Sequence, residues 1–452
     1  MALAVDVATE LQKIRFDDLP PDVVGKIKLL ILDHLGCMIS GGATDHARTL
    51  RKVLTKGDDG GDVSVFGTET RMTAANAAHA NAHAASAFSL DDSYVRFGHP
   101  GASIIPAAIA VAEERDASGT DLLTAIVAGY EMSLRLGAAI VATEPRDQQV
   151  KGLACWQIFG AAAALAKLHG FSAMQTADVF GLAAIHAPVP FIRKFHSKPM
   201  NRLKNNYGWA NRGAITAAAF VEAGFHGNKE IFDGDSGFWV MAGSDRFDPD
   251  AMTNELGERF MVQDVGFKPY GVCRWIHTAI DCTRELMKSL GLNKDNLDVL
   301  HVETVEEFVR DFGGAWPQST LEAIFHIPYA LALELHGKSS SLGLRDEDLN
   351  DADLKRTGQK VTLAVLEGAA EAFYADARLP VRLTARRRDG TSRAVTAEWP
   401  TGQPKGPPFG RDEVVGKFFA LALPVVGKDR AEALIAAVDV LDETNVRQTF
   451  QR

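Results

Sequence analysis

Alanine-rich helical periodicity covers more than half of this 452-residue chain, from Asp22 to about Val262. Apolar residues recur at spacings of three and four, as from Val23 to Ile27 and Leu30, which places them on one helical face. Similar patterns occupy residues 74–88, 119–140, 159–168, 173–185 and 214–223. Because alanine favours helices and lets them approach closely, the pattern predicts a helical bundle.

The pattern changes after about Phe267. Residues 297–305 alternate in polarity and are rich in β-branched side chains, which is typical of a strand. Residues 381–385 and 394–398 flank Asp389-Gly390, which favours a tight hairpin turn. Helical patterns occupy residues 272–290, 321–335, 412–422 and 429–441.

These patterns predict a mainly α protein, in which a large all-α helical domain is interrupted by a smaller α+β lid domain. We expect residues 1–265 to form the first part of the helical domain and residues 266–404 to form the lid. The C-terminal helices, within residues 405–452, would return to the helical domain. A cleft between the two units would be the default ligand site.

The composition excludes several classes of function. With 48 basic and 58 acidic residues the formal net charge is −10, which does not favour nucleic-acid binding. No apolar run approaches the roughly 18 residues that span a bilayer, and the N-terminus lacks a signal-peptide pattern. The 4 cysteines have no CxxC spacing, which predicts reduced thiols in a cytoplasmic protein. Glycine-rich phosphate loops are absent, so no nucleotide cofactor is expected.

A short polar segment contains the first candidates for chemistry. Asp91, Asp92 and Ser93 follow a predicted helix, and His99 precedes Pro100 in a stiff loop before the next helix. A histidine held near carboxylates and a hydroxyl has the composition of an acid/base site. The alternative is that Asp92 or Ser93 caps a turn and that His99 is a surface residue.

A second signal is the absence of acidic residues from Val179 to Val221. The basic residues of this interval are Arg193, Lys194, Lys198, Arg202, Lys204 and Arg212, with His186 and His196. Concentrated positive charge in an acidic protein favours a small anion such as a carboxylate. A basic subunit interface or a solvated face would produce the same pattern.

A third group of candidates follows the change of pattern. Lys268 precedes a helix predicted to begin at Val272, and a helix N-terminus favours anions. On that helix Cys273 and His277 would share a face. A Cys/His nucleophile pair is conceivable, although no third residue is evident that would orient it.

His79 and His83 are four residues apart on a predicted helix, the spacing of a two-histidine metal site. The glutamate of an HExxH motif is missing. Packing or capping contacts between alanine-rich helices are therefore the favoured explanation, and we predict no metal site.

The order of several motifs resembles that of the MmgE/PrpD family over nearly the whole chain. The matching segments are Leu32–Cys37, Asp91-Asp92, His99-Pro100, Phe159–Ala163, Gly208–Ala210, Asp233-Gly234, Gly237–Trp239, Lys268–Tyr270 with His277, and Lys417-Phe418. The family includes 2-methylcitrate dehydratase, cis-aconitate decarboxylase and iminodisuccinate epimerase. The resemblance implies a helical domain with a smaller α/β lid, a homodimer and a reaction that needs no cofactor.

The resemblance also implies roles for the first group of residues. His99 corresponds to the family's active-site histidine, and Asp91 and Asp92 correspond to its acidic pair. Ser93 falls where a threonine is common. Ser89 departs from the family pattern, because an aspartate is often found two residues before the acidic pair.

Three further correspondences follow from the same resemblance. Lys268 and His277 match the lysine and the histidine on the lid side. Lys204 is the counterpart of a lysine before the Gly-x-Ala helix, although its spacing is one residue short. A family histidine is missing, and its place falls near Ala154 or Cys155.

The sequence therefore predicts an enzyme that abstracts a proton α to a carboxylate of a small di- or tricarboxylate, most of all a hydro-lyase like 2-methylcitrate dehydratase. His99 would be the acid/base, oriented by Asp91 or Asp92, with His277 as a second proton-transfer group. The predicted carboxylate-binding residues are Ser93, Lys204, Lys268, Tyr270 and Arg274. An epimerase, a decarboxylase or an inactive polycarboxylate-binding homologue remain alternatives. We expect a cytoplasmic homodimer without nucleic-acid or membrane partners.

Overall fold

The computed structural model describes residues 2–150, 154–190, 200, 206–338, 341 and 343–451. The mainly α prediction is confirmed. Before residue 260 the helices are α1 (Leu3–Lys13), α2 (Pro21–Gly42), α3 (Asp45–Thr55), α4 (Ala74–Ala85), α5 (Pro100–Arg115), α6 (Gly119–Ala139), α7 (Glu144–Gln149), α8 (Ala154–Leu168), α9 (Ala173–Ile185), α10 (Asn206–Glu222), α11 (Phe238–Met241) and α12 (Asp250–Thr253). A two-stranded antiparallel sheet pairs β1 (Val63–Ser64) with β2 (Arg71–Met72).

The later helices are α13 (His277–Leu290), α14 (Glu306–Asp311), α15 (Thr320–Ala323), α16 (Ile327–Leu335), α17 (Asp346–Leu349), α18 (Ala352–Gly358), α19 (Ala369–Asp376), α20 (Arg411–Val426), α21 (Lys428–Asp439) and α22 (Val446–Phe450). A four-stranded sheet contains β3 (Leu297–Thr304), β4 (Val361–Val365), β5 (Val381–Arg387) and β6 (Ser392–Ala397) in the order β4-β3-β5-β6. β3 and β4 are parallel, and the other two pairs are antiparallel. The β5–β6 hairpin is confirmed, with Gly390 at φ +88°.

Small residues allow the central helices to cross closely. On α6 and α8, a Cβ atom added to Gly160 would lie 2.7 Å from the main-chain oxygen of Gly129. Near the C-terminus, Phe418 of α20 packs on α2, where a Cβ atom added to Gly36 would lie 3.2 Å from its Cα. The apolar core that contains α2, α5, α6 and α8 also contains Phe418.

A separate cluster of buried apolar residues surrounds the four-stranded sheet. It includes Leu300 and Leu383 from adjacent strands, together with Phe308 and Phe373 from helices α14 and α19. Trp275 stacks on Phe308 with the ring centroids 4.7 Å apart. Within the described part of the chain, no helix combines the length and apolar character needed to cross a lipid bilayer.

Two helical predictions need correction. The helix predicted from Val272 begins at His277, after a 3₁₀ turn over Arg274–Ile276, so Cys273 is not on it and the predicted shared face does not exist. The helix predicted over 321–335 is two helices, because Pro328 lacks an N–H and favours the first turn of a new helix.

Candidate active site

The segment between α4 and α5 is tied to a distant part of the chain. Ser93 and Gly266 exchange two main-chain hydrogen bonds, of 3.0 and 2.9 Å. Ser89 has φ +52°, a left-handed conformation that is costly for a residue other than glycine and often occurs near functional sites. These two hydrogen bonds bring the acidic pair, Asp91 and Asp92, close to the segment that contains Lys268.

The acidic pair holds His99 in one tautomer. Its Nδ1 atom lies 2.8 Å from the main-chain oxygen of Asp92 and 3.3 Å from Oδ2 of Asp91. Because a carbonyl oxygen only accepts hydrogen bonds, Nδ1 carries the proton and the lone pair of the neutral ring is on Nε2. The His99 side chain is 13% exposed, whereas both aspartates are completely buried. His99 is therefore partly exposed, and its neutral ring has the tautomer that a general base needs.

The carboxyl group of Asp92 is fixed by two donors. The Tyr130 hydroxyl lies 2.7 Å from Oδ2, and the Gly101 amide lies 3.1 Å from Oδ1. Burial raises the pKa of Asp92 to about 6, although His34 and the Tyr130 hydrogen bond oppose the shift. Asp92 therefore changes charge near neutral pH.

Helices α2 and α20 supply buried groups to which the sequence analysis gave no role. Asp33 Oδ1 lies 2.6 Å from Lys417 Nζ, which also donates to the Leu90 carbonyl at 2.6 Å. His34 Nε2 lies 3.6 Å from Oδ1 of Asp92. A signal for these groups exists, because Asp33 and His34 interrupt the apolar run of α2 and would have to be buried with partners.

Lys268 and Arg274 add buried positive charge. Lys268 Nζ donates to Ser89 Oγ at 2.9 Å, and Arg274 Nε donates to Ser93 Oγ at 2.8 Å. The terminal nitrogens of Arg274 donate to main-chain oxygens, including that of Phe267. Burial lowers the pKa of Arg274 to about 10, so the guanidinium remains charged at neutral pH. The segment between α4 and α5 thus brings together three predicted binding residues, Ser93, Lys268 and Arg274.

His277 is neutral in this environment. Its Nε2 atom lies 3.2 Å from the Val272 carbonyl and carries the proton. Burial, followed by the charges of Arg274 and other cations, lowers the pKa of His277 well below its usual value. Its ring centroid lies 4.9 Å from that of Tyr270, whose hydroxyl donates to Asp281 at 2.6 Å. His277 therefore offers a lone pair on Nδ1 rather than an acidic proton.

Other predicted residues either make different contacts or lie outside the described ranges. The latter are Arg193, Lys194, His196, Lys198, Arg202 and Lys204. Arg212 donates to the side-chain oxygen of Asn76 on α4. His79 and His83 are buried on the same helix, and His79 packs edge-on against Trp209 at 4.9 Å. The structure thus shows a packing contact for His79.

Among the described residues, one group has the composition of a metal site. It contains His34, Asp91 and Asp92, whose ligand atoms lie within 4.8 Å of one another. The buried cations of Lys417 and Arg274 already interact with the charges of Asp91 and Asp92. A divalent ion would be repelled by these cations within a buried site, so the residues present fit a metal poorly.

Family descriptions match most of the chain. The family model of the MmgE/PrpD N-terminal domain matches residues 5–250, and the family model of the MmgE/PrpD C-terminal domain matches residues 270–443. The chain belongs to the MmgE/PrpD family. The resemblance found in the sequence motifs is confirmed.

Several curated relatives of this MmgE/PrpD protein are similar over most of their length. Cis-aconitate decarboxylase of Aspergillus terreus is 24% identical, over 94% of this chain and 91% of that protein. Human cis-aconitate decarboxylase is 24% identical, over 96% of this chain and 91% of that protein. The cis-aconitate decarboxylase-like protein oryM of Aspergillus oryzae is 26% identical, over 66% of this chain and 64% of that protein.

Two positions at which the sequence resemblance led us to expect other residues lie in buried surroundings. Ser89, where we expected an aspartate, accepts a hydrogen bond from Lys268. The expected histidine would fall near Ala154 or Cys155, and burial raises the pKa of the Cys155 thiol to about 12.

Proposed function

We propose that this MmgE/PrpD protein is a cofactor-independent lyase that removes a proton from the carbon α to a carboxylate of a small di- or tricarboxylate. The specific assignment is a hydro-lyase of the 2-methylcitrate dehydratase type. Family membership and the relatives support the broader class of carboxylate-acting lyases. The observation that carries the proposal is the partly exposed His99 ring, whose Nδ1 proton is held by the acidic pair.

The charge of the buried cluster favours an anionic substrate. The Lys417 ammonium group pairs with Asp33, and the Arg274 guanidinium is charged at neutral pH and interacts with Asp92. Lys268 is buried beside the same segment. Buried positive charge of this kind stabilises a carboxylate and the enediolate formed from it.

Dehydration would use His99 twice. Its Nε2 atom takes the proton from the α carbon, and Asp91 stabilises the imidazolium that forms. The enediolate then expels the β-hydroxyl group as the carbon–carbon double bond forms. The imidazolium returns its proton to that hydroxyl, so water leaves and the histidine is neutral again. His277, predicted as a second proton-transfer group, is a weak base because burial and neighbouring cations lower its pKa, so in this proposal it stays neutral while Lys268 and Arg274 act through their charge.

Decarboxylation is the second candidate, because the relatives carry that name. Breaking the carbon–carboxylate bond would release carbon dioxide and leave the same type of carbanion. Protonated His99 would then donate to that carbon. An epimerase would return the first proton to the opposite face, and a polycarboxylate-binding protein would perform none of these steps.

One experiment distinguishes dehydration, decarboxylation, epimerisation and binding without reaction. Wild-type protein and His99→Asn would be incubated in D₂O with citrate, 2-methylcitrate, cis-aconitate, malate and an aminated dicarboxylate, and the products followed by NMR. We expect the substitution to lower turnover by about 10²–10⁴-fold while calorimetric affinity is kept. The exposed His226→Asn is the matched control.

The product distinguishes the candidates. Loss of water identifies the hydro-lyase, release of carbon dioxide identifies the decarboxylase, and deuterium uptake without net reaction identifies the epimerase. Binding without any exchange in the wild-type protein would contradict an enzymatic role and leave the binding protein.

We also propose a homodimer. Trp209 and Phe220 are 56% and 43% exposed on α10, and their spacing of three turns places them on one helical face. Exposed Phe225 extends this apolar surface, since its ring centroid lies 5.5 Å from that of Phe220. Trp209→Glu should convert a dimer to a monomer in sedimentation velocity, and a wild-type monomer at micromolar concentration would contradict the proposal.

A further inference from the structure

We propose that His34 is a positioning residue, which fixes the orientation of the His99 ring through Asp92. His34 and His99 belong to different elements, and both are connected to Asp92. The inference rests on the proposed function insofar as His99 is its base. The structural relation itself can nevertheless be tested without turnover.

The environment of His34 determines where its protons are. Nδ1 lies 2.9 Å from the carbonyl oxygen of Leu30, one turn earlier in α2, so Nδ1 carries a proton. Nε2 faces Oδ1 of Asp92 at 3.6 Å, and both side chains are completely buried. At 3.6 Å the two atoms are beyond hydrogen-bond distance, so this is an electrostatic contact between two groups that are both shielded from water.

Asp92 connects His34 to His99 because both its side chain and its main-chain oxygen have contacts. Its carboxyl group contacts His34, the Tyr130 hydroxyl and the Gly101 amide. Its main-chain oxygen accepts the Nδ1 proton of His99. A fixed carboxyl group therefore fixes the peptide unit that sets the tautomer and angle of His99.

Close packing provides independent support. A Cβ atom added to Gly101 would lie 2.4 Å from His34 Nε2 and 2.5 Å from the Tyr130 hydroxyl oxygen. Atoms without a covalent bond do not approach so closely, so only glycine fits there. The first turn of α5 thus confines the His34 ring against Asp92. Such close packing is expected where a side chain must be held in a single orientation.

The test compares two amide substitutions. His34→Asn places an amide nitrogen near the position of Nδ1 and keeps a donor to Leu30, but loses the contact with Asp92. His34→Gln places its amide nitrogen near the position of Nε2 and keeps a donor to Asp92. Diethyl pyrocarbonate would modify the histidines, and peptide mass spectrometry would give the rate at His99.

We expect His99 to react about fivefold faster in His34→Asn, because the buried charge contact that orients Asp92 is lost. In His34→Gln the rate should stay within about twofold of wild type, because the donor to Asp92 is kept. His226, which is 80% exposed, is the internal control and should react equally in all three proteins.

An unchanged rate at His99 in folded His34→Asn would overturn the proposal. So would faster reaction at all buried histidines, which indicates general loosening. If His34→Asn does not fold, Tyr130→Phe removes another donor to Asp92 and should accelerate His99 in the same way, and an unchanged rate there would also overturn it. Wild-type protein without turnover but with the expected reactivities would contradict the proposed function alone.

Discussion

Lys417, close to the end of the chain, lies 2.6 Å from Asp33, close to its beginning. Burial alone would lower the pKa of Lys417, but Asp33 and other acidic neighbours raise it overall, so the lysine is charged. The same ammonium group donates to the carbonyl of Leu90, directly before the acidic pair. Helix α20 therefore holds the candidate active-site segment in place.

Breaking this pair should be costly. Lys417→Met would leave the Asp33 carboxylate buried without its cation and should lower the free energy of unfolding by about 3–5 kcal/mol in urea titrations. The double variant Asp33→Asn/Lys417→Met should recover part of the loss. Lys428→Met, at the exposed pair with Glu432, should change the free energy by less than about 1 kcal/mol. Equal effects of Lys417→Met and Lys428→Met would contradict the role of the buried pair.

The pH dependence of stability should reveal Asp92. Its pKa is raised in the folded protein from 3.8 to about 6, chiefly by burial. Between these values the folded state binds more protons than the unfolded state, so this group makes the free energy of unfolding fall as pH rises from about 4 to about 6. A shift of about 2 pKa units corresponds to roughly 3 kcal/mol.

Burial also raises the pKa of Glu131 to about 7, so Glu131 adds its own pH dependence to the stability of the wild-type protein. Both wild type and Asp92→Asn contain Glu131, so the difference between their free energies of unfolding isolates the contribution of Asp92. In urea titrations from pH 4 to 7, the wild-type advantage over Asp92→Asn should shrink as pH rises. The exposed Asp295→Asn should show no such decrease. A constant difference between wild type and Asp92→Asn would contradict the raised pKa.

Local sequence patterns predicted most elements of the fold but few contacts within the site. The helix over 173–185 and the hairpin around Gly390 agree with the structure, because periodicity and turn chemistry depend on neighbouring residues. The contacts of Asp33 with Lys417 and of His34 with Asp92 depend on how distant helices pack. No periodicity contains that information, although two polar residues within the apolar run of α2 indicate buried partners.

Local rules also failed where one residue changed a helix boundary. An apolar pattern continued through residues 321–335, but Pro328 and the capping side chain of His326 start a new helix there. The helix predicted from Val272 begins later because a 3₁₀ turn precedes it. Arg274 lies in that turn, where its side chain reaches Ser93.

Gly101 should tolerate no side chain. Gly101→Ala would place a methyl group against His34 and Tyr130, and overpacking of this kind should lower the free energy of unfolding by about 1–3 kcal/mol. Gly25→Ala is the matched control, since no atom lies within 4 Å of its added Cβ in α2. That change should stabilise the protein by about 0.5–1 kcal/mol, because alanine favours a helix more than glycine does. Destabilisation of similar size at both positions would contradict the close approach at Gly101.

Divalent metals should have no specific site at His34, Asp91 and Asp92. Their ligand atoms lie within 4.8 Å of one another, but the buried cations of Arg274 and Lys417 interact with Asp92 and Asp91 and would repel a metal ion. After dialysis against Zn²⁺ or Mn²⁺ and then metal-free buffer, elemental analysis should therefore find the same substoichiometric metal in wild type and in His34→Gln. Treatment with EDTA should leave the melting temperature unchanged. One equivalent of metal that is retained by wild type and lost in His34→Gln would contradict this prediction and show that a cation links His34 to the acidic pair.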